Sequence, residues 1–277
     1  MPILSLRGLP NPQHLLSIIP RSQYQSEIGA VNAKLSEEIF MPEFDYTKEK
    51  VAIIVPYRNR SQQLYAFLHH MWPFLSKQRK QYVLIVTEQA GTTAFNRAKL
   101  FNVAVRAVKE SSNDDDQLYD INCFILHDVD KVPISPSVVY ECGQNFCHDI
   151  CVTTRPYCIF RMYGAFMGAA TAFRWEHIKT INGASNLFYG WGGENDDLRI
   201  RLKANKIPVD QPPAREGMFY EFEREHPASV ENRREDIGLM DPQNATHRWK
   251  TDGINQTRYT LLKRIDYNFF IWLLVSI

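Results

Sequence analysis

The run Lys50-Val-Ala-Ile-Ile-Val-Pro56 has no polar residue between its ends. A strand with one wet face would alternate apolar and polar residues, so an unbroken apolar run suits a strand buried on both faces of a parallel sheet. Two similar runs follow, Tyr82-Val-Leu-Ile-Val-Thr87 and Cys123-Phe-Ile-Leu-His127. Between the first two, residues 61–77 place Leu64, Phe67, Leu68, Met71 and Trp72 at helical spacing, and residues 95–110 read as a second helix. This β-α-β-α-β order predicts a three-layer α/β fold with a Rossmann-like, mostly parallel central sheet. The tail Asn268–Ile277, rich in strand formers, reads as a final buried strand. Residues 1–45 show weak periodicity and read as an irregular arm ahead of a single domain over 46–277.

In such sheets ligands bind beyond the carboxyl ends of the strands. Three segments fall there: Pro56-Tyr-Arg-Asn-Arg60, Glu88-Gln-Ala-Gly91 and Asp128-Val-Asp130. Two carboxylates one residue apart at the rim of a buried strand can present hard oxygens to Mn²⁺ or Mg²⁺, the plain alternative being a loop aspartate that caps a helix. Arg58 and Arg60 suit a diphosphate through their forked donors, or are simply surface arginines. In Phe95-Asn-Arg-Ala-Lys99 two cations sit where a helix begins, against its dipole, which an anion close by would relieve. His226, flanked by Glu223 and Glu225, is a candidate metal arm. The acid triplet Asp114–Asp116 reads as a solvated loop.

Composition narrows the classes. A formal net charge of +1 over 277 residues argues against a nucleic-acid binder that works through bulk electrostatics. No run of about 18 apolar residues is present, so no membrane span is expected in this chain. The opening residues, interrupted by arginine and proline, make a poor signal peptide. Five cysteines lie between Cys123 and Cys158 without C-x-x-C spacing, and the odd count leaves at least one thiol free.

Five stretches taken together resemble the β-1,4-galactosyltransferase family: V-A-I-I-V-P-Y-R-N-R, F-N-R-A-K-L-F-N-V, C-F-I-L-H-D-V-D-K-V-P, F-Y-G-W-G-G-E-N-D-D-L-R-I-R-L and T-D-G-I-N. They occur in the family's order across roughly residues 40–277. The resemblance implies a nucleotide-sugar glycosyltransferase A fold, with a nucleotide-binding half over 46–135 and an acceptor and metal half over 136–277. It also implies inverting, Mn²⁺-dependent transfer of galactose, or N-acetylgalactosamine, from the UDP-sugar to a glycan ending in GlcNAc, glucose or xylose. The Golgi lumen is the implied location, normally reached through a membrane anchor that this sequence does not show.

Carried over by motif, Pro56, Tyr57, Arg58 and Arg60 would hold uridine and diphosphate, with Phe95 and Arg97 flanking base and phosphates. Asp128 and Val129 would lie by the ribose and donor sugar. Asp130 and His226 would ligate the metal, and Glu223 stands where many members carry methionine. Tyr163 and Phe166 resemble the donor-sugar wall, and phenylalanine at 166 favours galactose. Trp191 and Gly192 would belong to a loop that closes over the donor. Glu194, Asn195 and Asp196 would form the catalytic run, with Asn195 on the family's catalytic carboxylate. An amide cannot usefully take a proton, so the resemblance leaves two readings. In one, a neighbouring acid (Glu194, Asp196 or Asp197) acts as base; in the other, the protein binds nucleotide sugar or glycan without turnover. Cys123 and Cys142 match the family's disulfide, and the sequons at Asn244 and Asn255 are compatible with a lumenal protein.

Overall fold

The computed structural model describes residues 24–39, 49–142, 147–148, 153–154, 167–190, 192–210, 217–222, 238–239 and 242–277. Its centre is a six-stranded sheet in the order β10-β11-β2-β1-β3-β7, built from β1 (Lys50–Tyr57), β2 (Gln81–Gln89), β3 (Cys123–His127), β7 (Ala170–Arg174), β10 (Thr260–Asp266) and β11 (Ile271–Ser276). The four inner strands run parallel, and the two edges are antiparallel. The expected buried strands are therefore present, the tail included. Because side chains alternate across a strand, β1 feeds both faces: Val51, Ile53, Val55 and Tyr57 join one core, while Ala52 and Ile54 join the other.

Helix α2 (Ser61–Ser76) covers the first face and α3 (Arg97–Glu110) the second. The first face also carries α1 (Tyr24–Glu38), which corrects the reading of 1–45 as irregular throughout. Ile28, Val31 and Leu35, spaced at one turn and two, are fully buried against Leu64, Tyr65 and Leu68 of α2. Lys34 lies over the Tyr65 ring and Glu38 accepts from the Tyr65 hydroxyl. With three apolar side chains buried among the described ones, this helix owes its stability to the surface it docks on.

Two clasps lie away from the cores. Cys123 and Cys142 form a disulfide with 5.6 Å between Cα atoms, tying β3 to the segment beyond it. Asp116, expected to be merely solvated, instead accepts two bonds from Arg264 of β10, at 2.7 and 2.9 Å. The guanidinium holds its carboxyl well below the usual carboxylate range. A small sheet joins β4 (Lys131–Pro133), β9 (Phe219–Glu221) and β6 (Thr153–Thr154), and its register sets Lys131 opposite Glu221.

The docking of α1 is directly measurable. Leu35→Ala removes a side chain from a closed core and is expected to lower stability by about 2–5 kcal/mol in urea unfolding. A loss under about 0.5 kcal/mol, the range of a surface change, would show that α1 is not part of the folding unit.

Candidate active site

The loops after β1, β2 and β3 meet at the carboxyl edge of the sheet. Tyr57 ends β1 in a buried position, and its hydroxyl accepts from the Arg60 backbone N–H at 3.1 Å, turning residues 58–60 back over the strand. Asn59 takes the left-handed conformation at the apex, with φ of 52°. Arg60 then reaches Asp130, with 2.8 Å between Nη1 and Oδ2. Arg58 donates to the Thr93 carbonyl at 2.5 Å and lies 5.4 Å from the centre of the Phe95 ring. Pro56 and Val129 are buried beneath.

Gln89, the last residue of β2, fixes the next loop. Its amide donates to Thr93 Oγ1 at 3.1 Å and the Ala94 carbonyl at 2.9 Å, and its oxygen accepts from the Asn96 N–H at 2.9 Å. Asn96 caps α3 by accepting from the Lys99 N–H at 2.8 Å. The cap starts the helix after Phe95, not at it, so Phe95 is a half-buried loop residue and Arg97 opens the helix.

A cation at a helix N-terminus is opposed by the macrodipole. The anion that answers Arg97 is the protein's own: its Nε and Nη2 lie 2.7 and 2.6 Å from Asp128 Oδ1. The remaining arm, Nη1, donates to Asn195 Oδ1 at 3.1 Å and lies 3.6 Å from Glu194 Oε1. Arg97 thus joins the end of β3 to the first turn of α5 (Glu194–Ala204). The loop before α5 depends on Gly190, Gly192 and Gly193, whose φ values of 84°, 109° and 86° are rarely open to other residues. The Gly190 N–H also donates to the Phe95 carbonyl at 2.7 Å, fastening this loop to the other.

Asp128 Oδ2 accepts from Lys131 Nζ at 3.0 Å and from the Ala169 N–H at 3.1 Å. Burial works against its charge, but Arg97 and Lys131 overcome it and hold the carboxyl well below the usual range. Lys131 lies 3.3 Å from Asp130 Oδ1 and 3.5 Å from Glu221 Oε1. Burial again opposes the charge, and the three acids together hold the ammonium above the ordinary lysine value. Burial pushes the Glu194 carboxyl up, and the charges of Asp128 and Asp196 add to this against the pull of Arg97. Behind them His127, bonded to the Tyr140 hydroxyl at 2.7 Å, is lowered to about 4 chiefly by burial, which leaves it neutral.

The acidic run divides by direction. Glu194 and Asn195 face Arg97, and Asp196 is half-buried beside them. Asp197 is fully buried elsewhere: it accepts from Arg201 Nε at 2.6 Å and from Arg248. Arg201 continues to the Asp252 carbonyl at 2.7 Å and carboxylate at 3.1 Å, and Asp252 accepts from Ser185 and Asn186. Gly253 is required there, because a Cβ would fall 1.8 Å from the Asn182 carbonyl oxygen. The stretch T-D-G-I-N and Asp197 are thus the footing of α5, and Asp197 is not placed to act as a base.

Comparison with known proteins decides the family. Residues 14–143 match the family described as the N-terminal region of glycosyl transferase group 7, and residues 151–226 match the N-terminal domain of galactosyltransferase. β-1,4-Galactosyltransferase 4 of Rattus norvegicus is 35% identical over 244 residues, covering 87% of this chain and 67% of the relative. The chain belongs to the β-1,4-galactosyltransferase family. β-1,4-Galactosyltransferase 5 of Mus musculus is 38% identical over 182 residues, covering 66% of this chain and 45% of that one. Among solved structures, the catalytic domain of Drosophila β-1,4-galactosyltransferase 7 with xylobiose superposes with a TM-score of 0.66 at 26% identity, covering 83% of this chain and 94% of that one. A mutant of the same enzyme in complex with manganese, UDP-Gal and xylobiose gives 0.67 at 27% identity over the same shares. The glycosyltransferase A fold read from the sequence is the observed one.

Of the site residues expected from the sequence, Pro56, Tyr57, Arg58, Arg60, Phe95, Arg97, Asp128, Val129, Asp130, Gly192, Glu194, Asn195 and Asp196 all lie in the described edge and its loops. Trp191, Glu223, His226, Tyr163 and Phe166 lie outside the described residues, as does most of 229–245. Among the described residues no cluster of three or more His, Cys, Asp and Glu forms a metal cage, and no helix is long and apolar enough to cross a membrane. Two participants were not singled out from the sequence, Glu221 and Lys131, while Gln89 was expected only as part of the segment Glu88–Gly91. Lys131 leaves a signal, a lysine directly after an acid pair within the otherwise apolar rim of a buried strand.

The division of the acidic run predicts different outcomes for neighbours. Asp197→Asn strips a buried partner from Arg201 and Arg248 and should cost about 3–5 kcal/mol in thermal or urea unfolding. Asp196→Asn, at a half-buried position, should cost clearly less than Asp197→Asn.

Proposed function

We propose that this chain transfers galactose from UDP-galactose to a hydroxyl of a terminal sugar on a glycan, with inversion, in the secretory pathway. The observation that carries the reading is Arg97, which holds Asp128, Glu194 and Asn195 around one point at the carboxyl edge of the sheet. UDP-galactose is favoured over the N-acetylgalactosamine donor because the family relatives bear the galactosyltransferase name. The acceptor class is a terminal GlcNAc, glucose or xylose, a reading supported by the Drosophila relative's complex with xylobiose. The Cys123–Cys142 disulfide suits an oxidising compartment such as the Golgi lumen.

The residues are assigned roles by their chemistry. Phe95 offers its face to uracil, and Arg58 beside it answers phosphate charge with Arg60. Asp128, kept ionised and oriented by Arg97, accepts from hydroxyls of ribose or galactose. Asp130 fits a hard divalent ion such as Mn²⁺ in donor type, its carboxylate being a hard oxygen donor whose two oxygens now face the cations Lys131 and Arg60. His226 and Glu223 are the further ligands proposed from the family motif. Such an ion neutralises charge on the departing diphosphate when bound.

In the transfer itself the acceptor oxygen attacks the anomeric carbon, the bond to the diphosphate oxygen breaks, and UDP leaves with that electron pair. The acceptor's proton needs a carboxylate. Asn195 is an amide whose oxygen is already taken by Arg97, so it positions and does not deprotonate. Glu194 is assigned as base: it is one residue away, lies against the same arm of Arg97, and burial pushes its carboxyl up from the ordinary carboxylate value. The amide at 195 also favours a second reading, binding of nucleotide sugar or glycan without turnover.

Transfer assays with UDP-galactose, Mn²⁺ and GlcNAc, glucose or xylose acceptors separate the two. On the enzyme reading wild type transfers, and Glu194→Gln lowers kcat by about 10²–10⁴-fold while leaving UDP affinity near wild type. A silent wild type that gains transfer by orders of magnitude in Asn195→Asp would establish the second reading instead.

A further inference from the structure

Asp130 is the one described residue assigned to the metal, and both its carboxylate oxygens already face cations. Oδ2 is 2.8 Å from Arg60 Nη1, and Oδ1 is 3.3 Å from Lys131 Nζ. Lys131 is the more consequential of the two. Its side chain is 8% exposed against 31% for Arg60, so water screens its charge poorly. Nor is it free to swing away, because Asp128 and Glu221 hold the same ammonium at 3.0 and 3.5 Å and the β4–β9 register fixes Glu221 opposite it.

We propose that Lys131 is a resident cation of the donor site, occupying the charge position between Asp128, Asp130 and Glu221, so that a divalent ion binds weakly to the nucleotide-free protein and tightly only together with a nucleoside diphosphate. The inference rests on the donor reading above and adds the order and coupling of its ligands. An ion on Asp130 sits about 2.0–2.6 Å from a carboxylate oxygen, and the ammonium bonded to that carboxylate then repels it at short range. Arg60 and Arg97 add positive charge on the same floor. A diphosphate brings the negative charge that offsets the incoming ion, so each ligand strengthens the other by the same factor. Lys131 is thus a positioning residue for the donor and a selector against bare metal.

The test is a titration of the full chain with Mn²⁺, followed by the electron paramagnetic resonance of free Mn²⁺, with and without UDP. Wild type, Lys131→Met, which keeps the length without the charge, and Lys131→Arg, which keeps the charge, are compared. Without UDP, Lys131→Met is expected to bind Mn²⁺ about tenfold tighter than wild type, with Lys131→Arg like wild type. UDP should tighten Mn²⁺ binding to wild type by about 5–150-fold, the usual span of such coupling, and much less in Lys131→Met. Equal Mn²⁺ affinity of wild type and Lys131→Met without UDP overturns the inference. If the thermal midpoint shows that Lys131→Met does not fold, Lys131→Gln, which keeps a polar donor for Asp128 and Glu221 without the charge, takes its place under the same criterion. The donor reading fails separately, if wild type binds no UDP with Mn²⁺ present while loss of the lysine charge still tightens Mn²⁺.

Discussion

The ion pair between Arg97 and Asp128 joins three parts of the site that come from distant stretches of the chain, the end of β3, the start of α3 and the start of α5. Arg97 opens a helix where its charge is disfavoured, and Asp128 leaves the end of a buried strand. Neither group is tolerable alone, since an unpaired charge this deep is far costlier than a paired one. Bonded twice through one oxygen, they fix the angle of the guanidinium, and its third arm collects Glu194 and Asn195 from the start of another helix. The site is therefore assembled by an electrostatic demand of the fold itself, before any ligand arrives.

The same balance continues along the carboxyl edge of the sheet. Asp128, Asp130 and Glu221 are answered by Arg97, Arg60 and Lys131, a lattice of opposite charges in which Arg97 and Lys131 hold the Asp128 carboxyl well below the usual range. Around it the scaffold is held by more ordinary means: the Gln89 and Asn96 side chains shape the loop that presents Phe95, and the Asp197–Arg201–Asp252 network seats α5. Asn195 belongs to the lattice as an acceptor for Arg97, which explains how an amide fits there without disturbing the fold. It also separates binding, which needs the lattice, from proton transfer, which needs a carboxylate.

Much of this was legible in the sequence. Continuous apolar runs identified the parallel strands, and Arg58, Arg60, Asp128 and Asp130 do gather at their carboxyl ends. The resemblance to a family supplied the Cys123–Cys142 pairing that spacing alone left open. What was not legible depended on partners distant in sequence. Tyr24–Glu38 carries three buried apolar side chains on an otherwise polar helix, too weak a pattern to stand out until α2 is there to receive it. Asp196 and Asp197 look alike in a run of acids, yet one turn geometry sends the second into the interior toward Arg201 and Arg248. Asp116 sits in an acid triplet that reads as solvated, and only Arg264, 148 residues away, distinguishes it. Lys131 was hidden for the same reason, because its third acid, Glu221, arrives from another strand.

The central claim is that the carboxyl edge of β1, β2 and β3 is a UDP-sugar site, and a crystal structure of the chain soaked with UDP-galactose tests it most directly. The account predicts uracil against Phe95, the diphosphate beside Arg58 and Arg60, and the sugar between Asp128 and Glu194. Nucleotide density elsewhere on the molecule, with this cleft unoccupied at saturating donor, would contradict it.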